Sequence, residues 1–263
     1  MTTTLFIDGH VHIYPFYSMQ NAVTAGIRNL QRSAGKQGDG VMVWLLTERY
    51  DCDFFDSARQ MKELHPKDTL EPESLVIHDS SGKTPIYLCA GRQIVTSDNL
   101  EICALATSLR VKDRTLNTMD TIRAVNNAGG VAALNWAPGK WFFGRKAIVQ
   151  DLLAKLNPAM LLISDTSLRP IGWMTPLLMK SAARKGFKIL AGSDPLPFAG
   201  EEALVGSYGF TVSGRFDPQK PAQSIRALLT DPAIDVSRSG RRNMPVTFAQ
   251  RQAKVMMLKK RQP

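Results

Sequence analysis

The sequence has few of the residues that build disulfide frameworks, and it lacks the segments that direct a chain into or across a membrane. Its 263 residues include three cysteines, Cys52, Cys89 and Cys103, and their wide spacing does not suggest disulfide pairs. A reducing compartment is therefore expected. No run of about 18 apolar residues predicts a transmembrane helix, and the opening MTTTLFIDGH lacks the basic segment of a signal peptide. These absences predict a cytoplasmic protein.

Acidic residues are missing from one part of the chain, residues 236–263. This segment carries eight of the basic residues, so only +2 of the net charge of +10 remains for residues 1–235. Its stretch TFAQRQAKVMMLKKRQ predicts an amphipathic helix. Two interpretations stay open for residues 238–261: contact with an anionic membrane surface or an acidic partner, or a solvated helix packed on the main domain. Nucleic acid is disfavoured as a partner because the segment has no base-reading motif. The basic residues are Arg238, Arg241, Arg242, Arg251, Lys254, Lys259, Lys260 and Arg261.

Length and composition favour one large α/β domain over residues 1–235. The chain is 44% hydrophobic, which is enough for a full core. The helical segment MDTIRAVNNAGG is followed by the apolar segment VAALNWA, and later segments such as AMLLISD and FKILAGSD continue the alternation of helices and strands. This alternation, with short glycine-marked links, predicts parallel βαβ units, and about seven such strands predict a barrel.

Two of only four histidines lie at the end of the first predicted strand, FIDGHVHI. His10 and His12 are two residues apart, so both side chains lie on one face of the strand. Asp194 ends a late strand, GFKILAGSD, and strand ends meet at one mouth of a parallel barrel. Two imidazoles and a carboxylate bind Zn²⁺, Mn²⁺ or iron with positions left open. The alternatives are a polar strand end for the histidines and a cap or turn residue for Asp194.

Four segments resemble, in order, the motifs of the polymerase and histidinol phosphatase (PHP) superfamily. They are DGHVH, GRQIVT followed by EICALA, AGGVAALNWAP, and GFKILAGSD, and together they span roughly residues 4–200. The resemblance implies a distorted (β/α)7 barrel and a metal-dependent phosphoesterase with two or three metal ions. The amidohydrolase superfamily is the second choice, because its barrels use a similar His-x-His pair and a late aspartate.

Several ligands of the PHP family are replaced in this chain. The family's Thr-Asp-His after the second strand is Thr47-Glu48-Arg49 here, its third-motif glutamate is Gln93, and its closing Ser-Asp-x-His ends in Leu196. The resemblance then implies a reduced centre that holds one divalent ion, either Zn, Mn or Fe. Its ligands would be His10, His12 and Asp194, with Gln93 as a neutral fourth.

Two functions are compatible with this selective loss. In the first, the protein is a one-metal hydrolase acting on a phosphoester or another small molecule. Asp165 or Glu48 is then the candidate proton acceptor, and Arg92, Arg49 or Lys140 the candidate to neutralise a phosphate. In the second, an inactive PHP-like barrel acts as a binding or scaffold protein at the membrane periphery. The positive charge of Arg49 favours this second function, because it disfavours a further metal ion beside it.

Overall fold

The computed structural model describes residues 2–34, 40–137 and 139–261. Within these residues the strands are β1 Thr3–Val11, β2 Val41–Leu46, β3 Lys67–Asp68, β4 Ser74–His78, β5 Pro85–Cys89, β6 Gly91–Val95, β7 Glu101–Leu105, β8 Val131–Trp136, β9 Leu162–Thr166, β10 Ile189–Gly192, β11 Tyr208–Gly214 and β12 Ser237–Gly240. The α-helices are α1 Met19–Ala34, α2 Phe54–Ala58, α3 Thr118–Asn127, α4 Gly144–Lys155, α5 Leu177–Arg184, α6 Pro221–Thr230 and α7 Pro245–Arg261.

The strands form two sheets instead of the single closed barrel that the sequence predicts. The first sheet has the order β12-β11-β1-β2-β5-β4-β3, and the second has the order β10-β9-β8-β7-β6. Parallel pairing is confirmed for β1 with β2 and for β8, β9 and β10, but β6, β7 and β8 pair antiparallel, as do β4 with β5 and β11 with β1. Strands β6 and β7 are joined by a short turn, and such a connection allows only an antiparallel pair.

The chain passes from one sheet to the other at Ala90. Strand β5 ends at Cys89 in the first sheet, and β6 begins at Gly91 in the second. A Cβ atom at position 91 would lie 2.3 Å from the Leu46 carbonyl oxygen, so only glycine allows this close approach. The Glu48 amide donates to the Gly91 carbonyl over 3.1 Å, which joins the end of β2 to β6.

Three groups of buried apolar side chains lie between and around the sheets. The inner group fills the space between the two sheets and is closed by α6; it includes Leu5, Ile7, Val43, Leu45, Cys103, Leu105, Ala133, Leu162, Leu190 and Ile225. A second group lies between the first sheet and α1, and a third lies between the second sheet and helices α3, α4 and α5. Alternate residues of each strand thus face the inner group or an outer one.

A β-bulge in β1 decides which face the histidines occupy. Asp8 pairs with Trp44 and Val11 with Leu46, so β1 has one residue more than β2 between these pairs. Before the bulge the odd-numbered Ile7 belongs to the inner group, whereas after it the odd-numbered Val11 belongs to an outer group. The bulge therefore turns the even-numbered residues that follow, His10 and His12, towards the space between the sheets.

The C-terminal segment contacts the rest of the protein across the predicted boundary at residue 235. Strand β12 pairs antiparallel with β11, as in the pair Phe210–Arg238. Helix α7 confirms the predicted C-terminal helix, and its Arg251 is 3% exposed. None of the helices in the described parts of the chain is both long and apolar enough to cross a bilayer. The side chains of Lys259, Lys260 and Arg261 lie outside the described part of the structure.

Candidate metal centre

His10, His12 and Asp194 come together at one point between the sheets. The Nε2 atoms of the two imidazoles lie 3.1 Å apart, and the Asp194 Oδ1 lies 3.8 Å from His10 Nε2 and 3.7 Å from His12 Nε2. All three residues are buried. Among the residues that the structure describes, they form the one group of at least three His, Cys, Asp or Glu side chains with ligand atoms close enough to share a metal ion.

The spacing of the three ligand atoms fits a single transition-metal ion. Ligands about 2.0–2.1 Å from a tetrahedral ion lie about 3.3 Å from one another, and the distances found here bracket that value. His10 Nδ1 lies 3.3 Å from the Ser164 hydroxyl and 3.6 Å from the Cys103 sulfur. A proton on Nδ1, donated to Ser164, leaves the Nε2 lone pair free for a metal.

The electrostatics of His12 also favour a neutral ligand. Burial lowers the pKa of His12 well below its ordinary value, and the nearby His10 and Arg49 lower it further. A neutral imidazole presents a lone pair at neutral pH and loses no proton when it binds a metal. The Nδ1 atom of His12 has no hydrogen-bond partner among the described residues.

Asp194 has an unusual backbone conformation that is held from several sides. Its φ is +52°, a region that few residues other than glycine adopt unless the surroundings enforce it. Its amide donates to the His10 carbonyl over 2.9 Å, which ties the end of β10 to β1. The preceding Ser193 donates through its amide (2.9 Å) and its hydroxyl (2.5 Å) to the buried carboxylate of Asp8. The turn that presents the Asp194 carboxylate is therefore fixed by β1.

A cavity of about 560 Å³ opens beside the three ligands. His12, Asp194 and Gln93 all line it, so the structure places the predicted neutral ligand Gln93 next to the metal site. Its other charged and amide-bearing lining residues are Arg49, Asp51, Glu101, Asp113, Arg114 and Asn135. Lys140 lies at the edge of this group, where its ammonium pairs with Glu101 over 3.0 Å. The volume is that of a small-molecule site.

Two of the residues predicted for catalysis, Glu48 and Arg92, face away from this cavity. They line a separate cavity of about 300 Å³. Arg92 donates to the carbonyls of Arg49 and Cys52 and to the Asp53 carboxylate, and it lies 3.6 Å from Glu48. Burial raises the pKa of Glu48 to about 7, against the opposing effect of the Phe55 amide that donates to it over 2.8 Å. This cluster anchors the start of α2.

Asp165, the third residue predicted for catalysis, is likewise not brought to the cavity. Its carboxylate makes a bidentate ion pair with Arg169, with distances of 2.8 and 2.5 Å, and both side chains are buried. Asp165 pairs with Trp136 across the sheet and shares its outward face. Its neighbour Ser164 is the residue of this strand end that faces His10.

Sequence reasoning missed the residues that support the ligands. Asp8 accepts hydrogen bonds from the amides of His10, Ser193 and Gly206, although burial raises its pKa to about 6. Alternate residues of a strand face opposite sides, so the segment LLISD could have predicted that Ser164 faces inward and Asp165 outward. Asp8 belongs to the segment DGHVH, but this supporting role is not visible there, because its partners Ser193 and Gly206 are distant in sequence.

Comparisons with known proteins give no family for this chain. No family model matches it, and no curated protein sequence matches it. Among solved structures, it is similar to PsfC from Pseudomonas syringae PB-5123, with a TM-score of 0.55 and 13% identity over 98% of this chain and 99% of that one. This similarity shows a shared fold along nearly the whole of both chains.

A second solved structure has a lower similarity. It is a two-domain protein from Bacteroides vulgatus ATCC 8482 that contains a predicted PHP-like metal-dependent phosphoesterase. The TM-score is 0.48 and the identity 15%, over 90% of this chain and 64% of that one. The resemblance to the PHP superfamily therefore rests on the sequence motifs.

Proposed function

We propose that this protein is a metal-dependent hydrolase with a one-metal centre, and that its substrate is a phosphoester or a similar anionic small molecule. The observation that carries the proposal is the convergence of His10, His12 and Asp194 at the edge of the large cavity. The phosphoester class comes from the sequence resemblance. A divalent ion supplies Lewis acidity, which activates water and polarises the scissile bond.

The chain's own residues would bind and orient the substrate in this cavity. Arg49 and Arg114 line it and provide fixed positive charge for an anionic group. Gln93 offers a neutral amide oxygen beside His12. In this arrangement His10, His12 and Asp194 would hold the ion, and the two arginines would orient the substrate.

We place proton transfer on the carboxylates that line the cavity, Asp51, Glu101 and Asp113. Asp165 and Glu48 would first have to leave their buried partners, and breaking a buried ion pair costs about 3–5 kcal/mol. Each of the three already has a partner. Glu101 accepts from Asn135 over 3.2 Å and pairs with Lys140, Asp51 pairs with Arg49 over 3.1 Å, and Asp113 accepts from the Val95 amide over 2.9 Å.

The test is the metal content of purified protein, measured by mass spectrometry for the wild type and for His10→Ala/His12→Ala. We expect about one ion per chain in the wild type, as one ligand set implies, and none in the double variant. His65→Asn is the matched control, since His65 is exposed and lies outside the site. A wild-type protein without metal, even after incubation with Zn²⁺ or Mn²⁺, would exclude a metal-dependent hydrolase.

The second candidate function is a binding protein without turnover. The observation that favours it is that Asp165 and Glu48, the two predicted proton acceptors, are held by buried partners and do not line the cavity beside the ligands. An assay of the metal-loaded protein on a panel of phosphoesters distinguishes the two functions. Hydrolysis by the wild type but not by the double variant supports the enzyme. Metal binding without turnover on that panel supports the binding protein.

A further inference from the structure

The C-terminal helix α7 reaches the metal centre. Its Val255 lines the large cavity beside Asp194, and its Arg251 is 3% exposed within a helix whose other described charge, Lys254, is exposed. Burial of a guanidinium is unfavourable unless it is paired and hydrogen-bonded. The partners of Arg251 therefore indicate its role.

Arg251 holds both sides of the turn that follows Asp194. Its Nη2 donates to the Asp194 carbonyl over 2.9 Å and to the Glu201 carboxylate over 2.5 Å. The same Glu201 oxygen accepts from the Leu196 amide over 3.0 Å. The Arg251–Glu201 pair thus binds a carbonyl at one end of the turn and an amide at the other.

A further contact connects Arg251 to Ser167, the residue that follows β9. Its Nη1 lies 3.3 Å from the Ser167 hydroxyl, and that hydroxyl donates to the Ser193 carbonyl over 2.5 Å. Asn243, just before α7, also donates to the Ser167 hydroxyl over 3.2 Å. The backbone of Ser193 and Asp194 is therefore held by β1 on one side and by the C-terminal segment on the other.

This arrangement matters because of the backbone conformation of Asp194. A non-glycine residue at φ +52° costs free energy and persists only when its surroundings over-determine it. The direction of the carboxylate depends on this conformation, since the side chain of Asp194 leaves the same Cα atom. Without Arg251, the Asp194 carbonyl loses its charged donor and the turn loses one of its two anchors.

We propose that Arg251 is a positioning residue of the metal centre, which directs the Asp194 carboxylate towards His10 and His12 by fixing the turn at 194–196. The proposal rests on the metal centre proposed above. It gives α7 a role inside the protein, in addition to any contact that the exposed Lys254 makes.

The experiment is Co²⁺ binding to the full-length chain, followed by titration and by the visible spectrum of the bound ion, which reports its coordination geometry. The variants are Arg251→Met, which keeps an apolar stem without the donors, and Arg251→Lys. Lys254→Met is the matched control, because it removes one positive charge from an exposed position of the same helix.

We expect Arg251→Met to bind Co²⁺ about 10- to 100-fold more weakly, as is typical when a residue that orients a ligand is lost. Its spectrum should also differ from that of the wild type. Arg251→Lys should restore part of the affinity, because a single ammonium replaces only part of the guanidinium fork. Lys254→Met should leave affinity and spectrum unchanged.

Wild-type affinity and an unchanged spectrum in folded Arg251→Met would overturn the positioning role and leave the metal centre intact. No Co²⁺ binding by the wild type would overturn the metal centre itself. If Arg251→Met does not fold, as judged by circular dichroism, the decision passes to Arg251→Lys and Glu201→Gln. Wild-type affinity and spectra in both of these variants would refute the proposal, and altered ones would support it.

Discussion

Gly192→Ala tests how closely the two sheets must approach for the metal centre to form. A Cβ atom at position 192 would lie 2.3 Å from the His10 Cβ and 2.5 Å from the His10 amide nitrogen. Both atoms belong to His10 in β1, and neither moves when the imidazole changes its rotamer, so a rotamer change cannot relieve the clash. The end of β10 would have to move away from β1 by about 1 Å, since carbon atoms pack at about 3.5–4.0 Å.

The consequence is a loss of both stability and metal binding. Forcing extra atoms into a packed interior costs about 1–3 kcal/mol, and we expect the upper end here because the clash is with backbone. A loss of about 3 kcal/mol lowers the melting temperature of a domain of this size by about 6–12 °C. Because Asp194 follows on the displaced strand and His10 is the residue pushed against, metal affinity should fall about tenfold or more.

The assays are thermal unfolding of the metal-free protein and titration with Co²⁺. Gly144→Ala is the control: it replaces the first residue of α4, where a Cβ atom meets nothing within 4 Å, and it should change stability by less than about 1 kcal/mol. The reasoning fails if Gly192→Ala melts within about 1–2 °C of the wild type and binds Co²⁺ equally well. In that case the close packing of β10 on β1 is not needed for stability or for metal binding.

Three further predictions concern charged groups away from the ligands. The raised pKa of Glu48, about 7 against 4.5 in the unfolded chain, means that its protonation stabilises the fold below pH 4.5 and that this contribution is lost as pH rises through 7. Glu48→Gln should therefore reduce the change in unfolding free energy between pH 5 and pH 8 by about 2–3 kcal/mol, and an unchanged pH profile would contradict the raised pKa. Arg169→Met should destabilise the protein by about 3–5 kcal/mol in urea unfolding, because it leaves the buried Asp165 carboxylate with only the Tyr208 hydroxyl at 3.3 Å and Arg238 at 3.9 Å; a cost below about 1 kcal/mol would show that the pair with Arg169 is not needed to hold Asp165. The exposed basic residues predict weak binding to anionic vesicles that salt abolishes, and Arg241→Glu/Lys254→Glu should weaken it in a sedimentation assay; binding that survives this charge reversal or ignores salt would place the contact elsewhere. This charge reversal is a cleaner test than deletion of residues 238–263, which would also remove the buried Arg251.

The candidate site was partly predictable from sequence. Residue type and spacing were enough to select His10, His12 and Asp194, because few side chains bind transition metals and two of them stand two residues apart in one strand. Gln93 was found through the resemblance, and it does line the cavity. The residues chosen for proton transfer were less predictable, because a polar side chain at a strand end belongs to the site only if it lies on the inward face.

The sequence by itself determined the local structure and the chemistry available to this protein. Helices α3 and α7 and strands β8, β9 and β10 lie where their periodicity predicts them, since each pattern depends on neighbours in the chain. The tertiary structure decided how these pieces face one another. The bulge in β1 turns the histidines inward, the crossing at Ala90 separates two sheets, and Arg251 reaches Asp194 from 57 positions away in the sequence. These features arise from strand register and from contacts between distant residues, and neither leaves a periodic signal in the local sequence.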